Sequence, residues 1–410
     1  MTKLALFRSN NPLCGRSAAG QGLKLYIDSA MEVIVSDQQA HGAWYKLDGR
    51  RDYLLNFEPV FLGVEPLRAF TQKVFESLGV PQEDARISAD VLIEADLRGF
   101  DCHGVGRLFP YYKRIRKGLI ETRPDIDITW SSPTTGCCDG GNGLGMVVGY
   151  RAMKACITRA KEFGSAFLAV SGSNHFGIAG YYSSMAIAED MIGVAMTNAS
   201  PRVVPTGGTT GILGTNPISV AFPRKTKPPF VLDMATSAVS SGKLDVAVRK
   251  GADIPEAWVY PSVKPFLDEE GVVPMSVLHY PLGGSMETGG YKGYGLSLMV
   301  DILCGALSGA NSGSRLISSK KEVEANIGHF FGAMKVAGFR RPEAFDRDLE
   351  TLVEDVKSSP LEEGKEQIFI PGEPEVSAKA KGLECGVPVL PQALKKLQQI
   401  AIEMDLQLPE

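Results

Sequence analysis

Asp139-Gly140-Gly141-Asn142-Gly143-Leu144-Gly145-Met146 is the stretch that decides the fold. Its glycines precede an apolar segment with helical spacing, which invites comparison with a dinucleotide-binding loop. That loop requires G-x-G-x-x-G between a strand and a helix, followed by an acid about 20 residues on. Here Gly141 and Gly143 are in place, but Met146 stands where the third glycine belongs. The groups around Gly207-Gly208 and Gly289-Gly290 lack the spacing too. A nicotinamide cofactor, if bound, is therefore not held by a Rossmann loop, and the plainer reading of each cluster is a tight turn.

The segment after this stretch points the same way. Met146, Tyr150, Met153 and Ile157 mark one face of a helix that Gly164 can close. Short apolar runs follow at 167–170, 192–196, 218–222 and 230–234, each bounded by Gly, Asn or Pro, and read as buried strands. A helix is expected between the first two, from Gly177 to about Asp190. Strands outnumber helices here, so strict β-α-β alternation fails. The expectation is a mixed α/β fold whose sheet is mixed or largely antiparallel.

Upstream, Pro66 opens a helix through Leu67, Phe70, Val74 and Leu78, and Pro81 opens a second that reaches Gly99. Asp101-Cys102-His103-Gly104 follows, then a third amphipathic segment from about Val105 to Gly118. His103, Arg107 and Tyr111 stand at i, i+4 and i+8, on one face if the segment is helical through the turn. A second histidine lies in Ser173-Asn174-His175-Phe176-Gly177, and the chain has only five. A proton donor that titrates near neutral pH, a fixed cation and a phenol suit a small carboxylic acid. By default, a histidine beside a glycine turn is a structural hydrogen-bond donor, and an Arg–Tyr pair on an amphipathic helix is solvated.

Gly289-Gly290-Tyr291-Lys292-Gly293-Tyr294-Gly295 leads into Leu296, Met299, Val300, Leu303 and Leu307, read as a buried helical stripe. Free N–H groups at a helix start beside a lysine suit a phosphate or pyrophosphate. The alternative is a lysine at a flexible helix entrance.

Composition bounds the rest. The 410 residues carry 44% hydrophobic and 22% charged side chains with a net charge of −4, ordinary for a globular protein. That balance argues against nucleic acid or an anionic membrane surface as partner. The seven cysteines contain no C-x-x-C and read as reduced thiols of a cytoplasmic protein. Lys3, Arg8, Arg16 and Lys24 precede the first acid, Asp28, so residues 1–63 read as a variable N-terminal extension or a mitochondrial transit segment. His41, His279 and His329 show no metal-ligand spacing, and no metal is expected. Leu394, Leu397, Ile400 and Met404 form a docking stripe on a terminal helix, and the polar stretch 311–365 reads as loops and short helices.

Taken together, these segments resemble the malate/L-lactate dehydrogenase family of type 2, over roughly residues 64–406. The matching motifs are Asp96-Leu97-Arg98-Gly99 with Asp101-Cys102-His103-Gly104-Val105, then Arg107 and Tyr111, Asn174-His175-Phe176-Gly177 and Gly214-Thr215-Asn216-Pro217-Ile218. They continue with Val231-Leu232-Asp233-Met234-Ala235-Thr236-Ser237, Tyr291-Lys292-Gly293-Tyr294-Gly295-Leu296 and Pro371-Gly372-Glu373. The resemblance implies NAD- or NADP-dependent interconversion of a small 2-hydroxy acid and a 2-oxo acid on a non-Rossmann fold. It implies a nicotinamide-cofactor domain with a mostly antiparallel sheet, placed at 134–310. A helical substrate domain built from both chain ends is placed at 64–133 and 311–410, and the assembly is a homodimer or larger homo-oligomer.

By the same resemblance, His103 and His175 match acid/base and substrate-contacting histidines, and Arg107 and Tyr111 match substrate-binding positions. The segment Val231, Leu232, Asp233, Met234, Ala235, Thr236 and Ser237 matches cofactor contacts, as do Lys292, Gly293, Pro371, Gly372 and Glu373. His103 is expected to exchange the hydroxyl proton, His175 to polarise the carbonyl, and Arg107 to pair with the carboxylate. Asp233 is expected either to orient an imidazole or to cap the helix after it. Cys102 stands where many relatives carry serine, which weakens any proton relay through a hydroxyl there. Malate or L-lactate is the leading substrate. Ureidoglycolate, diketogulonate or a cyclic imine acid are the alternatives within the fold, and a catalytically inactive structural relative is the alternative outside enzymology.

Overall fold

The computed structural model describes residues 58–225, 227–249, 252–268, 273–316 and 323–409; the expected extension therefore lies, up to residue 57, outside the described residues. In chain order the strands are β1 (Val60–Leu62), β2 (Asp127–Trp130), β3 (Thr135–Asp139), β4 (Ser165–Ser173), β5 (Met191–Thr197), β6 (Ile218–Phe222), β7 (Phe230–Met234), β8 (Ile327–Lys335) and β9 (Val387–Val389). The α-helices are α1 (Val64–Ser77), α2 (Gln82–Leu97), α3 (Leu108–Arg116), α4 (Gly145–Phe163), α5 (Ala179–Met185), α6 (Ser241–Arg249), α7 (Gly290–Asp301), α8 (Pro342–Lys357), α9 (Glu373–Cys385) and α10 (Pro391–Met404).

Seven strands form one sheet in the order β2-β3-β4-β8-β5-β6-β7. Only β3 and β4 pair in parallel, and every other pairing is antiparallel. The sheet is thus mostly antiparallel, as the failure of strict alternation implied. Its centre is β8, hydrogen-bonded to β4 on one side and β5 on the other. That strand comes from the stretch read as loops and short helices, and α8 is a further long element within it. Polar neighbours hide the run Gly328-His329-Phe330-Phe331-Gly332-Ala333, and its glycines and histidine dilute the apolar signal. The sheet accordingly also draws on residues outside the expected 134–310 span.

α4 packs across β4 and β8, and α1 against α2, while α10 returns from the chain's end to meet α1 and α3. Leu67, Phe75, Leu92, Met146, Met153, Leu168, Phe331 and Leu397 share the resulting core, so burial there links both ends of the described chain. β1 and β9 pair antiparallel and tie those ends together directly. Among the described residues, no helix is long and apolar enough to cross a membrane.

Two expectations need correction. The stripe that starts on α7 is only partly buried: Leu296, Met299 and Leu307 are exposed and Leu303 is half-buried, while Val300 is buried with Gly290, Gly293 and Ser297. A helix that is apolar all round gives no sequence signal for which side is buried, and here its small side chains permit the closer approach. Cys102, Cys137, Cys138, Cys156 and Cys304 are free thiols, but Cys385 is disulfide-bonded. An odd count without C-x-x-C does not forbid a single bridge.

Candidate active site

The site begins where α2 stops. Asp101–His103 and Val105–Arg107 form two short 3₁₀ turns, with Gly104 extended between them at φ −85° and ψ −151°. His103, Arg107 and Tyr111 therefore do not share one continuous helical face; only Tyr111 lies on α3. Asp96 fixes the break, its Oδ2 accepting the Val105 N–H at 2.7 Å. A methyl group on Gly104 would overlap the Asp96 carboxylate, so residue 104 must be glycine for this hydrogen bond to form. Burial raises the Asp96 pKa well above the usual carboxylate range.

His175 follows β4 and is held from behind by the glycine loop that opened the sequence reading. Asn174 Nδ2 donates to the carbonyls of Asn142 and Gly143 at 3.1 and 2.9 Å. A side chain on Gly145, the first residue of α4, would run into the carbonyls of Asn174 and His175. The loop is thus filled by the chain's own backbone and cradles no phosphate. It positions a histidine instead.

Tertiary packing then assembles what the local helix does not. The His103 and His175 rings stack with centroids 5.4 Å apart and planes 15° from parallel. Tyr111 Oη lies 2.6 Å from His175 Nδ1, and the Gly177 N–H donates to that same nitrogen at 3.3 Å. A backbone N–H can only donate, so Nδ1 is an acceptor and neutral His175 carries its proton on Nε2. Tyr111 therefore donates as well. His103 Nδ1 lies 2.9 Å from Cys102 Sγ, and His103 Nε2 makes no hydrogen bond among the described residues.

Arg107 supplies the charge. Its Nε donates to the Cys102 carbonyl at 2.9 Å, and its terminal nitrogens have no partner among the described residues. Burial, and secondarily the Arg107 cation, push His103 down to about 3, and they lower His175 well below its ordinary range. Burial raises Cys102 to about 12 and lifts Tyr111 above the ordinary phenol range, with Arg107 opposing both shifts. At neutral pH the pocket holds two neutral imidazoles, a thiol, a phenol and one free guanidinium. That combination binds a carboxylate and exchanges a proton beside it.

Asp233 lies elsewhere. Its Oδ2 accepts the Gly180 N–H at 2.7 Å in the first turn of α5, so it neither orients a histidine nor caps the helix after it. Burial raises its pKa to about 6 against the opposing Gly180 hydrogen bond. Asp233, Val231 and Gly372 wall a cavity of about 360 Å³ with Arg98, Lys379 and Glu375, within the range of small-molecule sites. The Val231 N–H donates to the Pro371 carbonyl at 3.0 Å, and Glu373 accepts from the Ile370 N–H at the same distance. Of the segments matched to cofactor contacts, 231–233 and 371–373 are thus adjoining. Thr236 and Ser237 instead meet the segment 281–282, on which Gly293 packs; Lys292 is exposed at the start of α7 beside Tyr291. Leu232 and Met234 lie on β7 between the two groups, and Ala235 follows the strand's end.

The cavity suits a nicotinamide dinucleotide. Asp233 offers acceptors for sugar hydroxyls, and the buried Glu375 Oε2 has no hydrogen-bond partner. Arg98 and Lys379 both contact Glu94, at 2.8 Å. Asp96, Asn174 and Glu375 carry none of the roles read from sequence. The first two act through backbone groups distant in sequence, and an isolated Glu on a polar helix gives no signal at all.

The malate/L-lactate dehydrogenase family model matches residues 62–398. The chain is 45% identical over 343 residues to malate dehydrogenase of Pyrococcus horikoshii, covering 82% of this chain and 93% of that one. It is 40% identical over 338 residues to L-sulfolactate dehydrogenase of Methanocaldococcus jannaschii, covering 82% and 95%. The solved structure of malate dehydrogenase from Pyrococcus horikoshii OT3 superposes with a TM-score of 0.78 at 39% identity, covering 87% of this chain and 99% of that chain.

Proposed function

The chain belongs to the malate/L-lactate dehydrogenase family and is a 2-hydroxy-acid dehydrogenase, and from that premise we propose that it interconverts malate and oxaloacetate with NAD as cofactor. The observation that carries the reading is the stacked pair His103–His175 beside the unpaired terminal nitrogens of Arg107. A family dehydrogenase uses a nicotinamide cofactor, which the segments 231–233 and 371–373 would hold and which would supply the hydride acceptor for the substrate's C2.

The remaining steps belong to the protein. Arg107 pairs its free fork with the 1-carboxylate and sets the orientation of C2. His175, its Nδ1 occupied, donates from Nε2 to the substrate's C2 oxygen and polarises it. With Nδ1–H donated to Cys102 Sγ, His103 keeps its lone pair on Nε2 and takes the hydroxyl proton as the hydride leaves. The reverse reaction returns that proton from the imidazolium. The anionic substrate offsets the Arg107 charge, so binding raises the His103 pKa towards the range in which proton exchange is efficient. Tyr111 holds His175 in place and touches nothing else at the site.

NAD is favoured over NADP because Asp233 and Glu375 line the cavity. Carboxylates accept ribose hydroxyls and repel a 2′-phosphate, while Glu94 engages both nearby cations, Arg98 and Lys379. The exposed apolar face of α7 supports a homo-oligomer in which a second copy covers it. The compartment proposed is the cytoplasm, with the mitochondrial matrix as the alternative raised by the early basic residues. The test is a panel of 2-oxo acids with NADH and NADPH, followed through the nicotinamide absorbance. Oxaloacetate reduction with NADH is expected to lead; no turnover with any 2-oxo acid would overturn the reading.

A further inference from the structure

Arg202 is buried, only 7% exposed, in the segment between β5 and β6. Its Nη1 donates to Ser241 Oγ at 2.6 Å, and its Nη2 to the Val273 carbonyl at 3.4 Å and to Met275 Sδ at 3.0 Å. Its Nε is buried without a hydrogen-bond partner, and among the described residues the guanidinium forms no ion pair. Asp245 acts on it at longer range, but Asp245 Oδ1 already accepts the Val273 N–H at 2.7 Å. A buried guanidinium without an ion pair is costly, and pairing with an anion would offset that cost.

The position says which anion. Ser241, which holds Arg202, opens α6, and the next residue, Gly242, lies against Cys102 so closely that a methyl group there would overlap the Cys102 side chain. Cys102 in turn contacts His103 and, through its carbonyl, Arg107. Arg202 is near enough to feel the Arg107 cation, and Asp245 bears on both Cys102 and Arg202. Arg107 thus lies beside the paired imidazoles, and Arg202 reaches the same region through Ser241 at the start of α6 and Cys102.

We infer that Arg202 is a specificity-determining residue that binds the distal carboxylate of a four-carbon dicarboxylate whose proximal carboxylate is held by Arg107. The inference rests on the dehydrogenase reading and deepens it. Arg107 serves every 2-oxo acid, and Arg202 serves only those with a second negative group. Pairing with that group satisfies the unpaired charge and brings the first turn of α6 onto the substrate.

The test compares oxaloacetate with 2-oxobutyrate, which has the same length and no distal charge, in the full chain and in Arg202→Met and Arg202→Lys. Loss of one partner of a buried charge pair predicts about a hundredfold fall in kcat/KM for oxaloacetate in Arg202→Met. The 2-oxobutyrate value is expected to stay within about threefold, and Arg202→Lys to recover part of the oxaloacetate rate. Thermal melts and NADH binding report whether the variants are folded. Equal losses for both substrates in folded protein, or no loss for either, overturn the role of Arg202. If the unaltered chain reduces neither acid, the dehydrogenase reading has failed instead.

Discussion

Tyr111 Oη and the Gly177 N–H converge on His175 Nδ1, at 2.6 and 3.3 Å, leaving the imidazole one proton to offer and one direction in which to offer it. The tautomer is set by the backbone, and the phenol adds rigidity. Tyr111→Phe should therefore keep the tautomer but loosen the ring. One neutral hydrogen bond is worth about 1 kcal/mol, so kcat should fall about 3- to 10-fold with little change in KM. A rise in KM alone would show that Tyr111 contacts substrate directly.

His103 is held neutral in the unliganded site by burial and by Arg107, with its pKa pushed down to about 3. Oxidation of the hydroxy acid needs that neutral base. Its kcat/KM, which reports the free enzyme, should stay level as pH falls through about 6.5, where an ordinary histidine would protonate. Removing the cation in Arg107→Met raises the pKa and should move the acid limb upward, besides weakening substrate binding. A limb near about 6.5 in the unaltered enzyme would remove His103 from this role.

Much of this site was legible in the sequence, but for reasons local to each residue. The mismatch at Met146 excluded a Rossmann loop, and alternation failed where the sheet is antiparallel. His103, Arg107, Tyr111 and His175 were found as motifs, yet the spacing that suggested a single helical face is broken at Gly104. Tyr111 reaches His175 through packing that no periodicity encodes. β8 escapes the sequence reading because the central strand lies beyond a polar stretch, and the imidazole-orienting or capping role read for Asp233 fails because its partner, the Gly180 N–H, is a backbone group far off in sequence. Arg202 carried no motif; only its burial and missing ion pair single it out.

Gly104 and Asp96 form the hinge pin between α2 and the 3₁₀ turns. In Gly104→Ala the new methyl must displace the Asp96 carboxylate and break its bond to Val105. That leaves a buried carboxyl without its donor, at a cost of about 1–3 kcal/mol. The melting temperature should drop by several degrees, and activity should fall far more, because His103 and Arg107 hang from that turn. Asp96→Asn keeps an acceptor oxygen and should retain most of the stability. Activity surviving in Gly104→Ala would show that the turn tolerates displacement.

Four of the five histidines are disfavoured as cations in the fold. His103, His279 and His329 are pushed down to about 3 and His175 lower still than its ordinary value, in each case chiefly by burial. The unfolded chain protonates them near about 6.5, so their contribution is complete above that pH and lost as pH falls towards 3. Asp233, raised to about 6, and Asp96 and Asp301, also raised, have the opposite sign and recover some stability as pH falls through their raised pKa values. Four histidines outweigh three acids, so melting temperature should decline from pH 7 to pH 5. A flat or rising trend would mean these imidazoles accept protons without unfolding.

The outward face of α7 and of the π-helical turn that continues it carries Leu298, Met299, Ile302 and Leu307, with Ile302 51% and Leu307 61% exposed. A continuous apolar face of this kind on a folded chain is normally covered by another surface. If a second copy covers it, the full chain should run as a dimer or larger species in light scattering at micromolar concentration. Ile302→Asp then places a charge in the buried centre of that contact, where an unpaired charge costs several kcal/mol, and should shift the mass to the monomer. Because Lys292 and Gly293 lie in the first turn of α7, the monomer should also bind NADH more weakly. A monomeric mass for the unaltered chain would leave the face to some other partner and remove the link between assembly and cofactor binding.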